Sequence, residues 1–220
     1  MDTVSSFIIE VAGIICAGKM TLINKLREIM DERYETKLRI IAEDLTAHLI
    51  LDPTDYYSRQ TRLAGQVTTE LIDARSNGGV TVVHRGLFDC KAFMGAYVKA
   101  GYVLQDMAEC QVRAWEGNAA EYTDGVVLVK TSPEEAFERL RVKHGGLPNN
   151  GVFGKDFFGQ LCWSYERLEA ELREALGSSL IVVCGEGELE EAAKRNAAKV
   201  LKGFGSYLQG GPRYDDAQAD

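Results

Sequence analysis

The chain has 220 residues, 45% of them hydrophobic and 26% charged, a composition that supports one soluble domain with a sizeable core and excludes a disorder-dominated chain. Its net charge of −8 excludes a global basic field of the kind that grips a nucleic-acid backbone, so nucleic acid is not an expected partner. No apolar run approaches the roughly 18 residues of a membrane span, and the start lacks the basic and apolar regions of a signal peptide. Five cysteines, odd in number and without a C-x-x-C spacing, read as reduced thiols, and a cytoplasmic protein is expected.

The first predicted element is a strand over 7–12, a short β-branched run ended by Gly13. Residues 13–21, Gly-Ile-Ile-Cys-Ala-Gly-Lys-Met-Thr, follow it and fit G-x-x-x-x-G-K. A helix then runs from Lys19 to about Arg33, with Leu22, Ile23, Leu26, Ile29 and Met30 at helical spacing. Strand, loop and helix in this order are what a phosphate cradle requires. Gly13 and Gly18 permit the tight turn, the backbone N–H groups of Ile15, Cys16, Ala17, Gly18, Lys19, Met20 and Thr21 are candidate phosphate donors, and Lys19 reaches the β and γ phosphates of ATP. Met20 stands where a Ser or Thr hydroxyl ordinarily meets Mg²⁺, and a thioether is a poor ligand for a hard cation. Thr21 still offers a hydroxyl.

A second strand is predicted over 38–42, ending at Glu43 and Asp44. Either carboxylate suits a general base or a Mg²⁺ shell, while Asp44 alternatively caps the next helix. Tyr56 and Tyr57 precede a helix from about Arg59 to Ser76 that carries Arg62 and Gln66; these tyrosines stack on a base or cover the core, and Gln66 reads a base edge or lies on a solvated face. The third strand, 80–83, leads into His84-Arg85-Gly86-Leu87-Phe88-Asp89. A fourth strand over 126–129 leads into Thr131-Ser132-Pro133-Glu134-Glu135 and a helix bearing Arg139, Arg141 and Lys143, with Glu135 and Arg139 at ion-pair spacing. The turn-rich stretch 145–154 marks a small lid, taken as about 139–155. Trp163, Tyr165 and Leu168 are expected as packing residues of a later helix, and the fifth strand is 180–183. The domain is expected to span 1–202, with a flexible tail over 203–220.

Five strands alternating with helices predict an α/β domain: a doubly wound, mainly parallel sheet with helices on both faces, whose ligands sit beyond the carboxyl ends of the strands. The phosphate loop together with His84-Arg85 and the segment from Thr131 to Lys143 resembles the P-loop nucleoside and nucleotide kinase superfamily, of the deoxynucleoside kinase and thymidylate kinase type, over roughly residues 6–185. That resemblance implies a three-layer P-loop kinase fold, Glu43 as base, Arg85 as a phosphate or base-orienting group, Arg139 and Arg141 closing over the transferring phosphoryl, and Gln66 with Arg62 on the substrate. The family's acid before the arginine is His84 here, a second departure beside Met20; Thr21 and Asp44 are then the expected metal-side residues. The Met20-Thr21 pair resembles adenylate kinases, where glycine replaces the hydroxyl residue and Thr follows.

The expected function is ATP-dependent phosphoryl transfer to a nucleoside or nucleoside monophosphate, with weakly held Mg²⁺. Alternatives are a non-catalytic nucleotide-binding pseudokinase and a kinase acting on a modified base in a nucleic acid. The resemblance also implies a homodimer.

Overall fold

The computed structural model describes residues 6–34, 37–42, 55–143 and 154–208. Glu43, Asp44, the greater part of the expected lid and the end of the chain lie outside the described residues.

Five strands form one sheet in the order β2-β3-β1-β4-β5, from β1 (Ser6–Gly13), β2 (Arg39–Ile41), β3 (Gly79–His84), β4 (Gly125–Lys130) and β5 (Leu180–Cys184). All four pairings are parallel, so the sheet is wholly rather than mainly parallel. β1 lies at the centre and every one of its residues is buried, as its continuous apolar run requires of a strand covered on both faces. Its end is set by Gly13 at φ 149°, beside Val129 of β4. A Cβ at Gly13 would lie 2.5 Å from the Val129 carbonyl oxygen, so the loop leaves the sheet at the one residue that can pass.

The helices are α1 (Lys19–Tyr34), α2 (Tyr56–Asn77), α3 (Leu87–Lys99), α4 (Gln105–Tyr122), α5 (Pro133–Lys143), α6 (Lys155–Leu176) and α7 (Leu189–Leu208). α1 packs with α7, while α2, α3, α4 and α6 form a second packed group, giving three layers. α2 starts where Asp55 accepts a hydrogen bond from the Ser58 N–H at 3.0 Å, an N-cap. Its far end is tied to the sheet. Arg75 reaches both oxygens of Asp124 at 2.9 and 3.1 Å, and Asp124 also accepts from the Ile8 N–H at 2.8 Å, joining α2, β1 and the entry to β4.

Two expectations are corrected. The flexible tail does not begin at residue 203: α7 continues to Leu208, because Phe204 packs edge-on against Phe7 at 5.6 Å and Tyr207 stacks on the same ring at 4.8 Å. Gly203, read as a sign of loose chain, is a packing glycine whose Cβ would lie 2.3 Å from Ile181. Trp163 is not a core residue either. Its ring is half-buried beneath the Lys99 ammonium at 3.6 Å and beside Arg167, whereas Tyr165 and Leu168 on the same helix are buried as expected. Tyr56 stacks between Tyr97 and Tyr102, so it covers the core.

Candidate active site

The carboxyl ends of β1, β3 and β4 bring the sequence motifs together. Residues 14–18 turn tightly, the Ala17 N–H reaching the Ile14 carbonyl at 3.2 Å, and α1 begins at Lys19. The first turn of a helix has no intrahelical acceptors for its N–H groups, so those of Lys19, Met20 and Thr21 have none within α1. Cys16 adopts φ 61°, an uncommon conformation for a residue with a side chain and one that recurs at functional loops. Burial raises the Cys16 thiol pKa against the pull of Lys143, Lys19 and Arg139, three cations whose fields meet at this loop. The Lys19 ammonium is turned inward, donating to the carbonyls of Gly13 and, at 3.0 Å, Ile14. Met20 is 39% exposed beside it.

At the end of β3, His84 is half-buried and Arg85 takes φ 63°, so that its guanidinium lies 4.3 Å from the Phe93 ring centre. Arg85 Nε and Lys19 Nζ each lie 3.8 Å from Oδ2 of Asp89, in the first turn of α3. The other oxygen, Oδ1, accepts from the Gly13 N–H at 3.0 Å and from the Tyr165 hydroxyl at 2.5 Å. Burial and the Asp89 charge hold the Tyr165 phenol well above its usual range. Asp89 therefore links the end of β1, Lys19 of α1, Arg85 just after β3 and Tyr165 of α6.

Behind it sits Glu10, in the middle of β1 and 1% exposed. Its two oxygens accept the N–H groups of Asp89 at 2.9 Å and Phe88 at 3.1 Å, capping α3 in place of the side chain that Gly86 lacks. Gly86 is needed for this: a Cβ there would lie 2.3 Å from Glu10 Oε2. Burial first and the Asp89 charge second push the Glu10 pKa up to about 8, against the backbone N–H bonds that favour the carboxylate.

The remaining expected residues are distributed unevenly. Arg139 donates to the carbonyls of Cys16 at 3.3 Å, Gly185 at 2.8 Å and Gly187 at 2.7 Å and pairs with Glu135 at 2.7 Å, fastening the phosphate loop to the segment between β5 and α7. Arg141 instead pairs with Glu138 on an exposed surface. Arg62 is exposed on α2, and Gln66 donates to Glu70 at 3.1 Å. The buried amide of that helix is Gln60, 4% exposed against the Cys90 thiol, its Nε2 without a hydrogen bond among the described residues. Gln60, Glu10 and Asp89 were missed in the sequence, although two left a signal. Gln60 lies on the apolar stripe of Leu63, Ala64, Val67 and Leu71, and Glu10 interrupts an otherwise apolar strand.

The donor set around the loop is poor for a divalent cation. Thr21 is half-buried in the first turn of α1 with one hydroxyl to offer, Met20 presents a thioether, and no group of three His, Cys, Asp or Glu side chains among the described residues forms a metal cluster. These residues do not fit a direct Mg²⁺ site. Nor is any helix among them long and apolar enough to cross a membrane.

No model of a protein family matches the sequence, and no curated protein matches it. Solved structures do. A deoxyadenosine kinase from M. mycoides with the products dCMP and dCDP bound superposes with a TM-score of 0.66 at 17% identity, covering 89% of this chain and 100% of that one. The same enzyme with bound dATP gives a TM-score of 0.67 at 18% identity, over 88% of this chain and 98% of that one. With its five-stranded parallel sheet, its glycine-bounded loop after β1 and this likeness over nearly the whole length, the chain has the P-loop deoxynucleoside kinase fold.

Proposed function

We propose that the protein is a phosphotransferase that moves the γ phosphoryl of ATP to a nucleoside or nucleoside monophosphate. The observation that carries this reading is the convergence of Lys19, Arg85 and Asp89 on the loop that follows β1. Phosphoryl transfer needs positioning and charge neutralisation more than covalent chemistry. The loop N–H groups and the α1 terminus hold the phosphates, Lys19 swings from the Gly13 and Ile14 carbonyls onto them, and Arg85 faces the transferring group from the end of β3. Arg139 keeps the loop in register through the Cys16 carbonyl, and Arg141 with Lys143 adds positive charge at the end of α5. Glu43 is assigned the acceptor proton on the strength of the family resemblance. Gln60 is a better candidate than Gln66 for an amide that meets a base, because a buried amide with a spare donor is the group a ligand satisfies.

The inward Lys19 together with Met20 favours one second reading, a nucleotide-binding protein without turnover. One experiment separates the two. Purified protein is incubated with ATP, Mg²⁺ and a panel of nucleosides and nucleoside monophosphates, and ADP release is compared with that of Lys19→Ala. Acceptor-dependent ADP release that disappears in Lys19→Ala is expected; ATP binding without release for any acceptor establishes the second reading.

A further inference from the structure

We propose that Asp89 is a positioning residue for nucleotide, a carboxylate that holds Lys19 and Arg85 together at the phosphate loop and that the phosphates of ATP displace as their counter-charge. This rests on the reading of the chain as a P-loop phosphotransferase. The geometry is specific to Asp89. One oxygen latches the first residue of the loop, Gly13, and is itself held by the Tyr165 hydroxyl, while the other has no hydrogen bond among the described residues and faces the two cations at 3.8 Å. A buried carboxylate oxygen lined up with two cations but bonded to neither is the arrangement of an exchangeable partner rather than of a structural ion pair.

The latch and the counter-charge do different work. Through Gly13 the carboxylate sets where β1 ends and the loop begins, and through Oδ2 it keeps ammonium and guanidinium close together despite their mutual repulsion. Glu10 completes the device from behind, since its contacts with the Phe88 and Asp89 N–H groups fix the first turn of α3 and so the direction of the Asp89 side chain. β3 ends on His84 rather than on an acid, and Asp89 in the first turn of α3 brings a carboxylate to that strand end.

Asp89→Asn keeps the shape and removes one competing charge, so the two cations present more of their charge to phosphate but lose the alignment that Asp89 gives them. Tyr165→Phe does the opposite: it strips one donor from the carboxylate and leaves its charge more available to Lys19. ATP affinity is measured by calorimetry on both variants, the wild type and Lys19→Ala, with turnover measured on whichever acceptor the panel identifies. Asp89→Asn is expected to bind ATP about tenfold more tightly while its turnover falls, and Tyr165→Phe to bind roughly threefold more weakly. A purely structural role would weaken binding in both. Unchanged or weakened ATP affinity in Asp89→Asn overturns the proposal; if that variant does not fold, unchanged or tightened affinity in Tyr165→Phe does so. Should Lys19→Ala bind ATP as well as the wild type, the phosphate-loop reading itself fails and this proposal falls with it; when Lys19→Ala abolishes binding, a failure at Asp89 counts against Asp89 alone.

Discussion

Glu10 stands in an environment that disfavours its carboxylate. An acid in the centre of the central strand loses hydration, and the backbone N–H groups of Phe88 and Asp89 recover only part of the cost. Facing it are Asp89 and the Cys90 thiol from α3, Arg85 from the start of that helix, and the Tyr165 phenol from α6. Because the folded protein holds the Glu10 proton up to about pH 8 and the unfolded chain releases it near 4.5, its contribution to stability is full below pH 4.5 and is lost as pH rises through about 8. Thermal melts across that window are expected to show the wild type losing stability with rising pH. Glu10→Gln, which has no proton to release, should lose distinctly less, and parallel pH profiles for the two proteins would refute the assignment.

At the scale of elements, the join between α2, β1 and β4 rests on Arg75 and Asp124. Both are partly buried, and the Asp124 carboxylate serves the Ile8 N–H as well as the guanidinium. Removing it leaves a charged group and a strand N–H without their acceptor, so Asp124→Ala is expected to lower unfolding stability by about 2–3 kcal/mol. Chemical denaturation checks this, and a change under about 0.5 kcal/mol, the size of an ordinary surface substitution, would show that solvent replaces the contact. The helix ends teach the same lesson. α2 carries its own cap in Asp55, a local signal, whereas α3 is capped by a carboxylate 79 positions earlier in the chain, which local spacing does not reveal.

For the whole molecule, a local positive field comes from Lys19, Lys143 and Arg139 around the loop and Arg85 at the end of β3, in a protein whose net charge is −8. With cations and N–H groups in place and few hard oxygen donors among the described residues, nucleotide binding should depend little on metal. ATP affinity in EDTA is expected within about tenfold of that in Mg²⁺, a difference of ~1.4 kcal/mol. A larger gap would assign the metal shell to Glu43 and Asp44. The sequence alone determined the alternation of strands and helices and the tight loop between β1 and α1, because these depend on periodicity and on glycine and lysine at fixed short spacing. It also marked Arg85, which sits where the motif after the third strand put it. Only the tertiary structure decided that Asp89 and Glu10 stand behind the loop, that Gln60 rather than Gln66 is the buried amide, that Arg139 spends its donors on loop carbonyls, and that α7 carries on past residue 202 to cover Phe7. Each of these follows from contacts between distant segments: a polar side chain inside an apolar pattern is placed by whichever partner the fold brings to it, and the pattern itself does not name that partner.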